Sequence, residues 1–184
     1  MADVGSLYNF LEKTFIKKGT YDEFQEQNIA EVVSNIEANL LQLQEDDIHI
    51  ECKTGDMQWF VPKGVLIHVF YNLFTNASYW IDRRRKYAQD DKSYVFEAED
   101  KIVVEKVNDE EIIVYDTGTG VMRSMEDILF QPLESGKPNH EGRGMGLYIV
   151  QQLMRSFSAD IQLSDERNGY GNRYKFVLSL NYEE

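Results

Sequence analysis

Two asparagines, Asn72 and Asn76, stand four residues apart in an apolar stretch that has the spacing of a helix. Residues four apart project side by side on a helix, so the two carboxamides form a pair. They lie on the flank of the apolar stripe, where each amide must bond to neighbouring backbone or face something polar. Carboxamide oxygens together with waters suit Mg²⁺. For this helix taken alone, bonding to neighbouring backbone is the favoured interpretation.

An acidic residue followed by two glycines, Asp116-Thr-Gly-Thr-Gly120, comes directly after an apolar strand pattern. Such a segment is most often only a tight turn, because glycine accepts a positive φ. The functional alternative gives the carboxylate a hydrogen bond from an exocyclic amine. In that interpretation the glycines allow a flat ring to approach the backbone.

A second glycine-rich segment, Gly142-Arg-Gly-Met-Gly146, precedes an apolar helix pattern. Successive backbone N–H groups and the helix N-terminus favour an anion there. The spacing does not fit the dinucleotide fingerprint, and Lys137 is not in the context of a Walker A loop. Lys137 offers a cation for a phosphate, although a surface lysine is its ordinary interpretation.

The elements that must position these groups alternate between helix and strand patterns. Helical periodicity runs over residues 22–44, with Phe24 on the buried side, over 65–81, and from about Gly144 onward, with a short helical piece at 125–130. Strand patterns are predicted at 48–52, 57–61, 101–107, 111–115, near 161–163 and at 174–180. This mixture predicts an α+β two-layer sandwich, a mixed sheet with helices on one face.

The remaining segments set the domain boundaries. Residues 1–22 are predicted to form an N-terminal helical linker, and residues 23–184 form the single domain. Residues 83–100 are polar, and we expect a solvated loop or a frayed helix end. Residues 131–143 are expected to be a flexible segment.

The composition restricts the partners and the compartment. The chain carries 32 Asp+Glu against 19 Lys+Arg in 184 residues, a net charge of -13. This balance argues against a nucleic-acid partner or direct membrane contact. The single Cys52 cannot form an internal disulfide and is predicted to be a buried small residue. We therefore expect a cytoplasmic protein, or the cytoplasmic part of a larger one.

Four segments in this order resemble the N, G1, F and G2 boxes of histidine-kinase-type ATP-binding domains of the GHKL superfamily, which also includes gyrase, mismatch-repair ATPases and heat-shock chaperones. They are Asn72-Leu-Phe-Thr-Asn76-Ala77, Asp116-Thr-Gly-Thr-Gly120, Leu129-Phe-Gln-Pro-Leu-Glu-Ser-Gly-Lys137 and Gly142-Arg-Gly-Met-Gly-Leu147. The resemblance covers about residues 24–181. Each box is weak evidence alone, whereas four in the right order are specific. The resemblance implies the Bergerat fold, with ATP and Mg²⁺ as cofactors.

The resemblance also implies roles for individual residues. Asn76 would contact Mg²⁺ and Asn72 would support the metal and the phosphates, which makes these two the catalytic residues. Asp116 would bind the adenine amine, and Lys137 would lie on a lid near the phosphates. The other nucleotide-binding positions that it implies are Trp80, Gly118, Gly120, Phe130 as the lid anchor, Gly142, Arg143, Gly144, Met145, Gly146 and Leu147.

Besides a loop over residues 83–100 that is longer than usual, the chain departs from the kinase pattern in two ways. Many kinase members have Lys-Tyr where this chain has Tyr79 and Trp80, which puts the usual lysine contact in doubt. Trp80 would then line the base pocket or pack in the core. Second, a phosphoacceptor histidine normally lies on a helical hairpin before this domain. The three histidines here, His49, His68 and His140, are not in such a context.

Three functions remain compatible with the resemblance. The favoured one is the ATP-binding catalytic domain of a protein histidine kinase in two-component-type signalling, whose phosphoacceptor hairpin lies outside this chain. The alternatives are a GHKL-type ATPase switch and an anti-sigma-like serine kinase acting on a partner protein. Hydrolytic members place a glutamate one turn before the metal-binding asparagine to activate water, and the amide of Asn72 cannot act as a base. The amide at this position therefore favours the kinase over the ATPase switch.

Overall fold

The computed structural model describes residues 23–40, 48–90, 99–134, 137 and 144–180. Its strands are β1 (Phe24–Asn28), β2 (His49–Lys53), β3 (Gln58–Pro62), β4 (Lys101–Asn108), β5 (Glu111–Asp116), β6 (Ala159–Leu163) and β7 (Lys175–Leu180). Its helices are α1 (Ile29–Leu40), α2 (Lys63–Asp90) and α3 (Gly146–Arg155), with a 3-10 helix at Arg123–Met125. The predicted helical linker, residues 1–22, lies outside the described residues.

Five strands form one mixed sheet in the order β2-β4-β5-β7-β6. β2 pairs parallel with β4, and the other neighbours are antiparallel. Side chains alternate between the faces of a strand, so Ile102 and Val104 point to one face, where both are buried. The opposite face carries exposed ion pairs, with Glu51 bound to Lys53 at 3.0 Å and to Lys101 at 3.2 Å. One face therefore holds the main core, whereas the other carries these partly exposed ion pairs beside Val103, which is also buried.

Helix α2 is the centre of the core. Leu66, Phe70, Phe74 and Ile81 on this helix are completely buried, and α2 contacts α1, α3 and the central strands β4 and β5. Burying a large apolar side chain contributes about 1.5–3 kcal/mol, so these residues fix α2 firmly on the sheet. Within the described ranges, no helix combines the length and apolar character that crossing a bilayer requires.

The predicted helix over residues 22–44 is wrong at its start. Residues 24–28 form β1, which pairs antiparallel with β3, and Phe24 is 50% exposed rather than buried. The helix begins only after Asn28, whose Oδ1 accepts the Glu31 N–H at 3.0 Å and caps α1. The partner strand lies more than 30 residues later in the sequence, so local periodicity could not reveal the pairing.

Two other predictions are also corrected. The asparagine helix continues to Asp90, so for residues 83–90 the helix-end alternative is correct and the solvated loop is wrong, and Arg84 within them is only 3% exposed. Cys52 is exposed rather than buried, because it lies on β2 at the edge of the five-stranded sheet. Its Sγ lies 3.3 Å from Thr54 Oγ1.

Candidate functional site

The first asparagine faces the start of the last helix. Asn72 Nδ2 donates to the His68 carbonyl at 2.8 Å, so for this amide bonding to neighbouring backbone is correct. Its Oδ1 lies close to α3, because a Cβ atom at Gly146 would lie only 3.3 Å from it. The structure therefore brings Asn72 and Gly146, which belong to separate sequence motifs, into contact range.

The second asparagine has no partner within the part of the chain that the structure describes. Asn76 is partly exposed, whereas the next two residues, Ala77 and Ser78, are buried. A carboxamide at the edge of a packed helix is available to a ligand when no internal group satisfies it. The described ranges hold no cluster of three or more His, Cys, Asp or Glu side chains fit for a metal. The Asn76 oxygen accordingly suits a cation that takes its other ligands from phosphate and water.

The carboxyl of Asp116 lies at the end of β5, in the turn formed with Gly118. The Gly118 N–H donates to Asp116 Oδ1 at 2.7 Å. A Cβ atom at Gly118 would lie 2.9 Å from the Trp80 carbonyl carbon, so only glycine lets this turn press against α2. Burial raises the pKa of Asp116 to about 7, opposed by the Gly118 N–H and the charge of Arg84. Asp116 as a whole residue is partly exposed to solvent, although its carboxyl group is buried.

The following residues of this loop are held by the segment between β6 and β7. The Thr119 carbonyl accepts Asn172 Nδ2 at 2.9 Å and Asn168 Nδ2 at 3.2 Å. Gly120 has φ +75°, and a Cβ atom there would lie 2.7 Å from Asn168 Nδ2. The two asparagines of the hairpin were missed by sequence reasoning, because Asn-Gly-Tyr-Gly-Asn indicates only a turn.

The second glycine segment is described from Gly144 onward, and Gly142 and Arg143 lie outside the described residues. Gly144 has φ +63°, and a Cβ atom there would meet backbone atoms of Leu133 and Glu134 at 2.5–2.7 Å. The Leu133 N–H donates to the Gly144 carbonyl at 3.1 Å. The N-cap of α3, Met145, makes no side-chain capping bond, so no cap side chain occupies the first N–H groups of α3.

The ammonium group of Lys137 and two aromatic residues lie along the same edge of α2. Lys137 Nζ lies 4.1 Å from the centroid of the Tyr79 ring, within cation–π range. Tyr79 packs edge-to-face on Trp80 with ring centroids 5.2 Å apart. Trp80 is partly exposed and its backbone contacts the Gly118 turn. Of the two alternatives for Trp80, the structure favours the position beside the Asp116 loop over the core.

Two predicted positions have mainly a packing role. The Phe130 ring packs on Phe176 with centroids 6.4 Å apart and adjoins the core. Leu147, in the first turn of α3, also packs partly buried against the core. These contacts explain why both residues are apolar, whatever they contact in a ligand.

Helix α2 is the element that joins these parts. Asn72 approaches Gly146, Tyr79 holds Lys137 and Trp80 touches Gly118. Thus one helix edge, about two turns long, is lined by the three segments that the sequence suggested. This edge offers an unpaired amide, uncapped N–H groups, an ammonium group and a carboxylate. The set can bind a polyanion at one end and an amine-bearing ring at the other.

Comparison with known proteins identifies the family and the fold of the chain. Residues 62–183 match the family described as histidine kinase-, DNA gyrase B-, and HSP90-like ATPase. A search of curated proteins finds no match.

Three solved structures illustrate the shared fold. The mycobacterial sensor histidine kinase MprB is 16% identical, with a TM-score of 0.64, over 85% of this chain and 96% of its own. The ATP binding domain of PrrB from Mycobacterium tuberculosis is 14% identical, with a TM-score of 0.57, over 89% and 100%. The Acinetobacter baumannii histidine kinase AdeS is 18% identical, with a TM-score of 0.59, over 98% and 77%. The predicted α+β sandwich is confirmed.

Proposed function

This chain belongs to the family of histidine kinase-, DNA gyrase B- and HSP90-like ATPases, and we propose that it is the catalytic, ATP-binding part of a protein histidine kinase. It would present the γ-phosphate of ATP to a histidine on a helical hairpin outside this chain. The observation that carries the proposal is Asn72. It occupies the position of the glutamate that activates water in hydrolytic members, and its Nδ2 is already bonded to the His68 carbonyl.

On the phosphate side, Asn76 provides the oxygen for Mg²⁺, since its carboxamide has no partner among the described residues. Mg²⁺ when bound would neutralise the charge that the phosphates carry. Asn72 Oδ1 orients this region from beside Gly146, and the N–H groups that begin α3 bind the phosphate tail. Gly142, Arg143, Gly144 and Met145 belong to the same phosphate-binding segment in this proposal.

Lys137 supplies the cation for the terminal phosphates. The position at which many kinase members have lysine is Tyr79 here, and the Tyr79 ring holds the Lys137 ammonium at 4.1 Å. The charge therefore reaches the same helix edge from another segment. An ammonium group is a compact point charge that suits a phosphate with changing geometry.

On the base side, the Asp116 carboxylate accepts the exocyclic amine of adenine. Gly118 and Gly120 let the loop pack closely against Trp80 and Asn168, and in this proposal Trp80 lines the base pocket beside it. With both ends fixed, catalysis consists of positioning the γ-phosphorus for in-line attack by an imidazole nitrogen. The N–P bond forms as the bond from the γ-phosphorus to the β,γ-bridging oxygen breaks, and ADP leaves.

The test uses ATP labelled at the γ-phosphate. We expect the chain with Mg²⁺ to bind ATP and release little phosphate alone. Mixed with a separately purified, histidine-bearing helical hairpin encoded near its gene, it should transfer label that is lost in acid and stable in base. Repeated turnovers of phosphate release by the chain alone would indicate a hydrolase. Acid-stable label on a hydroxyl side chain of a partner would indicate a serine kinase.

A further inference from the structure

Arg84 is a charged residue buried in the described structure and assigned no role by any motif. It lies on α2, four residues after Trp80, and is 3% exposed. A buried guanidinium is costly unless it is paired and hydrogen-bonded. Here its terminal nitrogens bind two acceptors, the Asp100 carboxylate and the Thr117 carbonyl.

One of these acceptors lies in the loop that carries Asp116, and the other lies just before the strand β4 that pairs with β5. Thr117 directly follows Asp116, and its N–H donates to the Lys101 carbonyl at 3.1 Å. Thr117 Oγ1 accepts the Lys101 N–H, also at 3.1 Å. Asp100 precedes β4, and its carbonyl accepts the His49 N–H at 3.1 Å. Arg84 thus ties α2 to the start of β4 and to the residue next to the carboxylate.

We propose that Arg84 is a positioning residue for adenine recognition, which fixes the Asp116 loop and supplies the positive charge that keeps its carboxylate an acceptor. The inference rests on the proposed function, in which Asp116 binds the adenine amine. The fork geometry matters because a guanidinium reaches two acceptors in one plane, which an ammonium group does not.

The charge balance around the loop is consistent with this role. Arg84 lowers the pKa of Asp116 against the effect of burial. Among the described residues, the other charged or titratable groups that act on Arg84 are Arg85 on the same helix, Asp100 before β4 and Tyr170 between β6 and β7. Arg85 Nε also pairs with Asp100, at 2.5 Å.

Arg85 provides a matched control, because the described ion pairs of its side chain are with Asp82 and Asp100, whereas Arg84 binds the Thr117 carbonyl as well as Asp100. The variants are Arg84→Met, Arg84→Lys and Arg85→Met. The probes are ATP, GTP, which lacks the exocyclic amine at that position, and inorganic tripolyphosphate, each titrated with Mg²⁺ from pH 6 to pH 9. A role confined to stability would lower the melting temperature or weaken all probes together.

We expect Arg84→Met to weaken ATP binding about tenfold, because it removes the contribution of a charge-assisted hydrogen bond. Tripolyphosphate affinity should stay within about twofold, so the preference for ATP over GTP falls. The pH midpoint of ATP binding should move upward, since Asp116 loses its neighbouring charge. Arg84→Lys should restore the midpoint and only part of the affinity, and Arg85→Met should keep both.

Unchanged ATP affinity and midpoint in Arg84→Met would overturn the inference, as would equal weakening of ATP and tripolyphosphate. If Arg84→Met does not fold, Arg84→Lys and Asp100→Asn carry the same comparison. Undiminished ATP affinity in Asp116→Asn would instead overturn the base-site assignment of the proposed function, whatever the Arg84 variants show.

Discussion

The loop after β5 and the asparagine edge of α2 differ in how completely their polar groups are bonded within the chain. The loop is tied on three sides, by Arg84, by the Lys101 backbone and by the hairpin asparagines at the Thr119 carbonyl. On the α2 edge, Asn76 has no partner in the described ranges, and α3 starts without a side-chain cap. In the proposed function, the base side is therefore preorganised, whereas the phosphate side would be completed by its ligand.

This contrast has a physical reason. An adenine ring is rigid, so a fixed carboxylate recognises it with little ordering cost. A triphosphate with its cation changes charge and geometry during transfer, and groups left unbonded can follow it. Substitution of Asp116, on the fixed side, should therefore change ATP binding most. Substitution of Lys137, which reaches the site from another segment, should change it least.

Asp116→Asn should cause the largest change. We expect ATP affinity to fall roughly 10- to 150-fold or more, the range for losing a hydrogen bond to a charged group. Calorimetric titration against ATP with Mg²⁺ measures it. Asp127→Asn, an exposed carboxylate on the surface, is the control and should bind as the unchanged chain does.

The same variant should gain stability. Burial raises the pKa of Asp116 to about 7, so the folded chain holds a proton that the unfolded chain releases between about pH 4 and pH 7. This carboxyl therefore lowers stability as pH rises through that window. Asp116→Asn should raise the melting temperature at pH 8 by at least about 2 °C, with a smaller difference near pH 4. A lower melting temperature at pH 8 would contradict the burial of this charge.

Asn76→Ala should come next. Removing the Asn76 amide should weaken ATP binding about tenfold in the presence of Mg²⁺ and little in its absence, because the lost contact is to the metal. Titrations with and without the cation measure the difference. Asn39→Ala is the control, since Asn39 lies partly exposed on α1 and the one described bond of its Nδ2 is to the Asn35 carbonyl. Unchanged Mg²⁺ dependence in Asn76→Ala would count against the assignment.

The Lys137–Tyr79 pair should give the smallest effect. Lys137→Ala should reduce the preference for ATP over ADP about twofold to fivefold, because the charge that the Tyr79 ring holds by a cation–π contact of about 0.5–1 kcal/mol is lost from the terminal phosphate. Tyr79→Phe keeps the ring and should bind nearly as the unchanged chain, whereas Tyr79→Leu should resemble Lys137→Ala. Equal behaviour of Tyr79→Phe and Tyr79→Leu would show that the ring does not hold the ammonium group.

Local patterns predicted much of this molecule. Four strand predictions, at 48–52, 57–61, 101–107 and 111–115, match β2 to β5, because alternation and turn residues act over a few residues. The family and its ATP-binding fold followed from the order of four motifs. β1 escaped prediction because its partner is β3, and the burial of Arg84 escaped because Asp100 lies beyond the helix.

By itself, the sequence determined the residue types of the site: two amides, a carboxylate with glycines, and a glycine-rich helix start. These depend on local spacing, which a linear pattern records. Only the tertiary structure decided that Asn72 faces Gly146, that Tyr79 contacts Lys137 and that Arg84 binds the Thr117 carbonyl next to Asp116. Such contacts join residues from 33 to more than 70 positions apart, and their formation depends on packing of α2 against the whole sheet.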